Sequence, residues 1–152
     1  MAVAEDLDTA TDTTDPEWGW AADHTRTYLA SGGTDGHENN GVRTLVLATT
    51  ERKTGRARRT TLIYGRSDDA FVVVASKGGA DQDPAWFKNV LAQPSVGVQA
   101  GTDRFTAHAR VASAAERELL WPRMTEIFPL YDEYAQKTDR TIPIVLLTPA
   151  RP

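Results

Sequence analysis

Residues 51–59 read ERKTGRARR, with the cations Arg52, Lys53, Arg56, Arg58 and Arg59 standing around Thr54 and Gly55. A guanidinium grips two oxygens of a phosphate or carboxylate at once, and an ammonium adds a compact point charge. Such a run suits an anion, although on charge alone a solvated turn accounts for it better. A second stretch, ASKGGADQDPAWFKNVL at 75–91, joins Ser76, Lys77, Gly78 and Gly79 to a helix start. Adjacent glycines admit positive φ and bring bare N–H groups close to a ligand. Asp83 and Pro84 suit the first turn of a helix. Strand, glycine turn, lysine and helix N-terminus together can seat an anion. An ordinary strand–loop–helix connection explains the segment about as well. The histidines offer less: His24 reads as a half-exposed helix residue, His37 has no partner at metal-binding spacing, and His108 falls in a strand.

The basic run lies between TLVLATT (44–50) and TTLIYG (60–65), both rich in strand formers. It therefore reads as a hairpin loop projecting from a sheet. FVVV (71–74) is a short β-branched run, a buried strand leading into the SKGG turn. Trp86, Phe87, Val90 and Leu91 recur at helical spacing, so one face of their helix is buried, and Pro94 discourages its continuation. The expected strands are 42–50, 60–66, 70–75, 95–100, 104–112 and 142–148, with turns at Ser67-Asp68-Asp69 and Gly101-Thr102-Asp103. Helices are expected over 17–30, between Pro16 and SGG, and from Ser113, whose capping box with Glu116 opens AAERELLWPRM. Pro122 interrupts the latter. Trp18, Trp20 and Tyr28 pack the inner side of the first helix or cover part of a ligand. Phe128, Tyr131 and Tyr134, at spacing three, set three rings on one helical face, which as a bare pattern is an aromatic core stripe.

The chain of 152 residues suits a single domain over 16–152, preceded by a disordered acidic tail over 1–15. Its elements predict an α+β, mainly β class: a barrel of about six mostly antiparallel strands with flanking helices. The absence of cysteine excludes disulfides, thiolate metal sites and cysteine catalysis. No run is long enough to span a bilayer, and the acidic start is unlike a secretory signal, so the cytoplasm is expected. A net charge of −4 argues against nucleic acid as partner and makes the basic run a local concentration of charge. A small, multiply charged ligand is the better partner.

In order along the chain, four blocks carry a resemblance: HTRTYLASGGTDG, TLVLATTERKTGRARRTTLIYG, FVVVASKGGADQDPAWFKNVLAQPSVGVQ and LYDEYAQKTDRTIPIVLL. The third is the most specific, with its strand, SxGG turn, PxWxxN helix and NP-like approach to the next strand. The ordered set, from about residue 18 to 149, resembles the deazaflavin-dependent nitroreductase family of actinobacterial oxidoreductases, which use the reduced coenzyme F-420. The resemblance implies a split β-barrel related to the pyridoxamine-phosphate-oxidase-like FMN-binding fold. It implies that Lys53, Arg58 and Lys77 meet the coenzyme's phosphate or glutamate tail, with Arg52, Thr54, Arg56 and Arg59 beside them. The backbone of Ala75, Ser76, Gly78 and Gly79 would lie along the ring or phosphate, and Trp86 and Asn89 would line the same pocket.

The reaction so implied is hydride transfer from the reduced deazaflavin to a small organic acceptor: a quinone, an enone or other activated alkene, or a nitroaromatic. Tyr131 and Tyr134 match family tyrosines that face the substrate and are the candidate catalytic residues. Trp20, Tyr64 and Phe128 join them as candidate substrate contacts. Phe128 replaces a residue that can be tyrosine, which argues against nitroreduction as the favoured activity. Glu51 stands where the family commonly has glycine, and Ala57 and Thr61 where prolines are frequent. The competing readings are an FMN-dependent reductase or oxidase of the same barrel, and a non-catalytic deazaflavin- or flavin-binding protein. No metal is required, a monomer is preferred over a dimer, and the acidic tail argues against peripheral membrane contact.

Overall fold

The computed structural model describes residues 2–12, 21–39 and 41–150. A 3-10 turn at Ala4–Leu7 precedes β1 (Thr11–Asp12), α1 (Ala21–Ala30), β2 (Glu38–Asn39), β3 (Val42–Thr50), β4 (Ala57–Ile63), β5 (Gly65–Ser67) and β6 (Ala70–Val74). A second 3-10 turn, Lys77–Gly79, leads to α2 (Ala85–Ala92), β7 (Ser95–Ala100), β8 (Asp103–Val111), α3 (Ala114–Ile127), α4 (Leu130–Gln136) and β9 (Ile144–Pro149). Among the described residues the strands form one sheet, in the order β1-β4-β3-β7-β8-β9-β6-β5, with β2 paired to the start of β3. β3 to β9 are seven antiparallel strands curled into half a barrel, an α+β, mainly β architecture. The two-residue β1 adds the one parallel pairing among the described residues, to β4.

Side chains alternate across each strand, and the central strands bury both faces. Leu45 and Leu47 of β3, Phe71 and Val73 of β6, and Val145 and Leu147 of β9 point into the barrel, where Trp86, Phe87 and Val90 of α2 close it. The intervening Val72, Val74, Ile144 and Leu146 pack outward under Leu120 and Met124 of α3 and Tyr131 of α4. Val46 and Ala48 pack outward against Leu7 and Tyr28. This double burial explains why the strands read as unbroken apolar runs.

Several boundaries differ from expectation. Residues 60–66 are not one strand. The chain turns at Tyr64, so that β5 leaves β3 and pairs β6, and Gly65 admits α3, since a Cβ there would lie 2.8 Å from the Met124 sulfur. β4 starts at Ala57, which makes Arg58 and Arg59 strand residues instead of loop residues. Pro122 lies inside a continuous α3, where Leu120 and Met124 on the same helix are buried and hold it through the missing hydrogen bond. The Ser113–Glu116 capping box opens that helix as expected, and its bidentate Arg110 holds the Glu116 carboxyl down at about 2. The first helix is described from Ala21, so Pro16, Trp18 and Trp20 lie outside the described residues.

The acidic N-terminal stretch, expected as a disordered tail, is packed on the sheet over residues 2–12. Leu7 is fully buried, the Ser95 hydroxyl donates to the Ala2 carbonyl at 2.7 Å, and Arg104 grips Asp8 with both terminal nitrogens. Composition missed this because one leucine, one long-range ion pair and scattered backbone contacts, not a periodic face, hold the strap. It crosses β7 at Gly97, where a Cβ would lie 2.3 Å from the Val3 carbonyl oxygen. Gly97→Ala is expected to lift the strap and cost about 2 kcal/mol, the order of re-exposing one buried leucine. Faster limited proteolysis within residues 2–12, alongside a lowered thermal midpoint, would register it; an unchanged cleavage rate would mean the strap adjusts in place.

Candidate functional site

The β3–β4 hairpin loop is closed by its own backbone, with Glu51 N–H donating to the Arg56 carbonyl and Gly55 N–H to the Glu51 carbonyl, both at 2.8 Å. Gly55 adopts φ +75°, which a side chain would strain. The loop is then fastened to α2 by Asn89, a buried residue. Its Oδ1 accepts from the backbone N–H of Arg52 at 3.2 Å and from Arg52 Nη1 at 3.3 Å, and its Nδ2 donates to Thr49 Oγ1 at 3.1 Å. Arg58 Nε donates to Glu51 Oε2 at 2.5 Å, and the Thr54 hydroxyl donates to Glu51 Oε1 at 3.1 Å. These two donors hold the Glu51 carboxyl below its ordinary range.

Between loop and helix lies a cleft of about 250 Å³. It brings together Arg52, Lys53, Arg58, Arg59, Trp86 and Asn89, and adds Glu51 and the small side chains of Thr49, Thr60 and Ala85. Two of the lining residues carry donor nitrogens with no partner among the described residues. The indole Nε1 of Trp86 is buried without a partner among the described residues, and a buried donor in that state calls for an explanation. The two terminal nitrogens of Arg58 likewise make no bond to a described residue, since only its Nε is engaged. Arg59 Nη1 donates to the Leu7 carbonyl at 2.8 Å, tying the strap to the edge of the cleft. Thr54 and Arg56 belong to the loop but do not line the cleft; Thr54 braces it through Glu51 and the Arg56 amide.

The Ser76–Gly79 turn stands apart from that cleft and is built by other means. Lys77 at φ +46° and Gly79 at φ +84° are its left-handed residues. Gly79 is pressed against α4, where a Cβ would lie 2.7 Å from the Tyr134 carbonyl oxygen. Arg140, which sequence reasoning missed, pins the turn. Its guanidinium donates to the carbonyls of Ala75 (3.2 Å), Ser76 (2.7 Å) and Ala80 (2.6 Å), and to Asp83 Oδ1 (3.0 Å). Asp83 is thereby spent on an ion pair, and the helix cap falls to Pro84 without a side-chain cap bond. No local pattern in the sequence could have revealed Arg140, because its partners lie 57 to 65 residues away.

The candidate substrate contacts divide. Phe128 is the C-cap of α3 and sits at the joint with α4, so the three rings do not share one helix; they still cluster, with Phe128 and Tyr131 centroids 5.0 Å apart. Tyr131 is 3% exposed inside the outer core, whereas Tyr134 is half-buried with the Lys137 ammonium 5.6 Å from its ring. Tyr64 lies at the far end of β4 from the cleft, bonded to His37 Nε2 at 2.8 Å, and burial pushes its phenol up. His24 Nε2 bonds the Gly36 carbonyl and His108 is exposed on β8. Among the described residues no cluster of His, Asp or Glu could hold a metal, and no helix is long and apolar enough to cross a membrane.

The family model described as "F420H(2)-dependent quinone reductase" matches residues 20–149. An F420H(2)-dependent quinone reductase of Mycobacterium tuberculosis is 36% identical over 129 residues, 82% of this chain and 87% of that protein. A solved structure described as a domain-swapped dimer is 35% identical, with a TM-score of 0.67 over 83% of this chain and 95% of its own. That relative lends no support to the monomer preferred from sequence. At 13% identity and a TM-score of 0.52, a Listeria innocua chain of pyridoxamine 5'-phosphate oxidase type shares the fold alone, over 83% of this chain and 93% of its own.

Proposed function

Because the chain belongs to the F420H(2)-dependent quinone reductase family and is thus an F-420-dependent oxidoreductase, we propose that its cationic cleft takes the phosphate-bearing arm of coenzyme F-420 and that its acceptor is a quinone. The observation that carries this reading is the convergence of Arg52, Lys53, Arg58 and Arg59 on one cleft of a protein with net charge −4. The groups present fit such a ligand. Arg58 offers two terminal nitrogens to a phosphate or carboxylate, and Trp86 Nε1 is a buried donor with no acceptor among the described residues. A cleft of about 250 Å³ is at the small end for a ligand pocket, sized for a charged segment and not for a whole coenzyme.

When bound, the reduced deazaflavin supplies the hydride. The protein's own work is to bind, orient and exclude water. Asn89 fixes Arg52 at the mouth of the cleft, and Arg140 fixes the Ser76–Gly79 turn, whose backbone is the candidate wall for the ring. Tyr134, whose backbone packs against that turn at Gly79 and whose side chain is half-buried where Tyr131 is buried, is the better candidate of the two tyrosines to donate a hydrogen bond to the acceptor oxygen. Tyr131, inside the core, serves to hold α4 in place.

Fluorescence titration with oxidised coenzyme F-420, with FMN in parallel, tests the reading. The deazaflavin is expected to bind tightly and FMN weakly. Lys53→Ala is expected to raise the deazaflavin Kd about tenfold, the loss of one charge-assisted contact. Stopped-flow oxidation of bound reduced coenzyme by a benzoquinone, an enone and a nitroaromatic then ranks the acceptors. Tight FMN binding with none for the deazaflavin would move the chain to the flavin branch of the fold, and binding without turnover by any acceptor would favour a carrier.

A further inference from the structure

Glu51 is the one carboxylate that lines the cleft among the described residues, set among four cations. Its side chain is fixed from two sides, by Arg58 Nε at 2.5 Å and by the Thr54 hydroxyl at 3.1 Å, so it does not swing freely to solvent. The Arg58 contact uses the side of the guanidinium and leaves the terminal nitrogens for a ligand. Glu51 therefore does not block Arg58; it subtracts one charge from the cleft at a fixed place. We propose that Glu51 is a resident counter-ion that sets how much negative charge the cleft accepts, and so a determinant of ligand choice. The proposal rests on reading the cleft as the coenzyme's anion site.

Without ligand, Arg52, Lys53, Arg58 and Arg59 repel one another, and the carboxylate offsets part of that repulsion. With a polyanion bound, the same carboxylate repels the ligand. Its depressed titration, caused chiefly by Arg58, keeps it ionised through neutral pH and makes the repulsion permanent. The effect grows with ligand charge and fades with salt, since the side chains involved are partly solvated.

Glu51→Gln keeps the shape and the acceptor oxygen and removes the charge. In calorimetric titrations at low ionic strength it is expected to tighten inorganic pyrophosphate and coenzyme F-420 about 3–10-fold, and orthophosphate less. The gain should vanish near ~0.5 M salt. Glu51→Asp, which retains the charge but draws it back from Arg58, should show none of that gain. Weaker or unchanged binding by Glu51→Gln, or loss of affinity in Glu51→Asp, would make Glu51 a brace for Arg58 and overturn the proposal. If the wild type ignores the coenzyme while pyrophosphate shows the predicted gain, the coenzyme reading fails and the counter-ion stands. If the coenzyme binds without any gain from Glu51→Gln, the reverse holds. Absence of binding by every anion would overturn both.

Discussion

Asn89→Ala is expected to raise the Kd for coenzyme F-420 at least about 30-fold while lowering folding stability by about 2–3 kcal/mol. The two effects share one cause. Asn89 is 2% exposed and satisfies three groups at once: the Arg52 amide, the Arg52 guanidinium and the buried Thr49 hydroxyl. Truncation leaves those partners unmet, at a cost of about 1–3 kcal/mol for a buried group. It also cuts the tie that holds the hairpin loop against α2, so Arg52 and Lys53 must be ordered by the ligand itself. Asn89→Asp separates the two. Its carboxylate still accepts from Arg52, and the Thr49 hydroxyl can turn to donate, so most of the stability should return. The added negative charge in the cleft should keep affinity low. Urea denaturation and coenzyme titration on both variants check this; a stability loss in Asn89→Ala with unchanged affinity would reduce Asn89 to a structural role.

What could be read from the sequence follows from how local each cause is. The hairpin around the basic run, the β7 strand and the Ser113 capping box depend on neighbours a few residues apart, and each appears, the hairpin with its second strand starting three residues early. The gathering of hairpin cations with Trp86 and Asn89 depends on β3 pairing β4 and α2 closing the barrel, which the strand and helix periodicities imply only in outline. The strap was hidden because Leu7 is its one large side chain in the inner packing, and its other ties are backbone contacts and the Asp8–Arg104 ion pair, whose partners lie 96 residues apart. Asp83 misled for a related reason. A capping residue type before Pro84 is a local signal, and a long-range guanidinium outcompeted it. Glu51 was visible as a departure from the resembling family, but only the 2.5 Å contact with Arg58 shows what the carboxylate does.

Arg140→Ala is expected to cost about 3–4 kcal/mol, the largest loss of stability from any single truncation near the site. The Arg140 side chain is 14% exposed and meets three backbone carbonyls besides the Asp83 carboxylate. Removing one partner of such a pair leaves a partly buried charge and several acceptors without donors. Asp83 is 34% exposed, so water recovers part of that cost, which sets the figure in the lower part of the range for breaking a buried pair. The turn it pins also holds Lys77 in a left-handed conformation that an L side chain adopts only under constraint, and release of the constraint should let residues 76–80 reorganise. Arg140→Lys should regain about a third of the loss, since an ammonium cannot span all four acceptors. Urea midpoints with unchanged m-values would report the stability change, and amide hydrogen exchange at 76–80 would report the freed turn. If the midpoint falls as expected while those amides keep wild-type protection, Arg140 stabilises the barrel without shaping the turn, and the candidate wall for the coenzyme ring owes its form to Gly79 packed against Tyr134 instead.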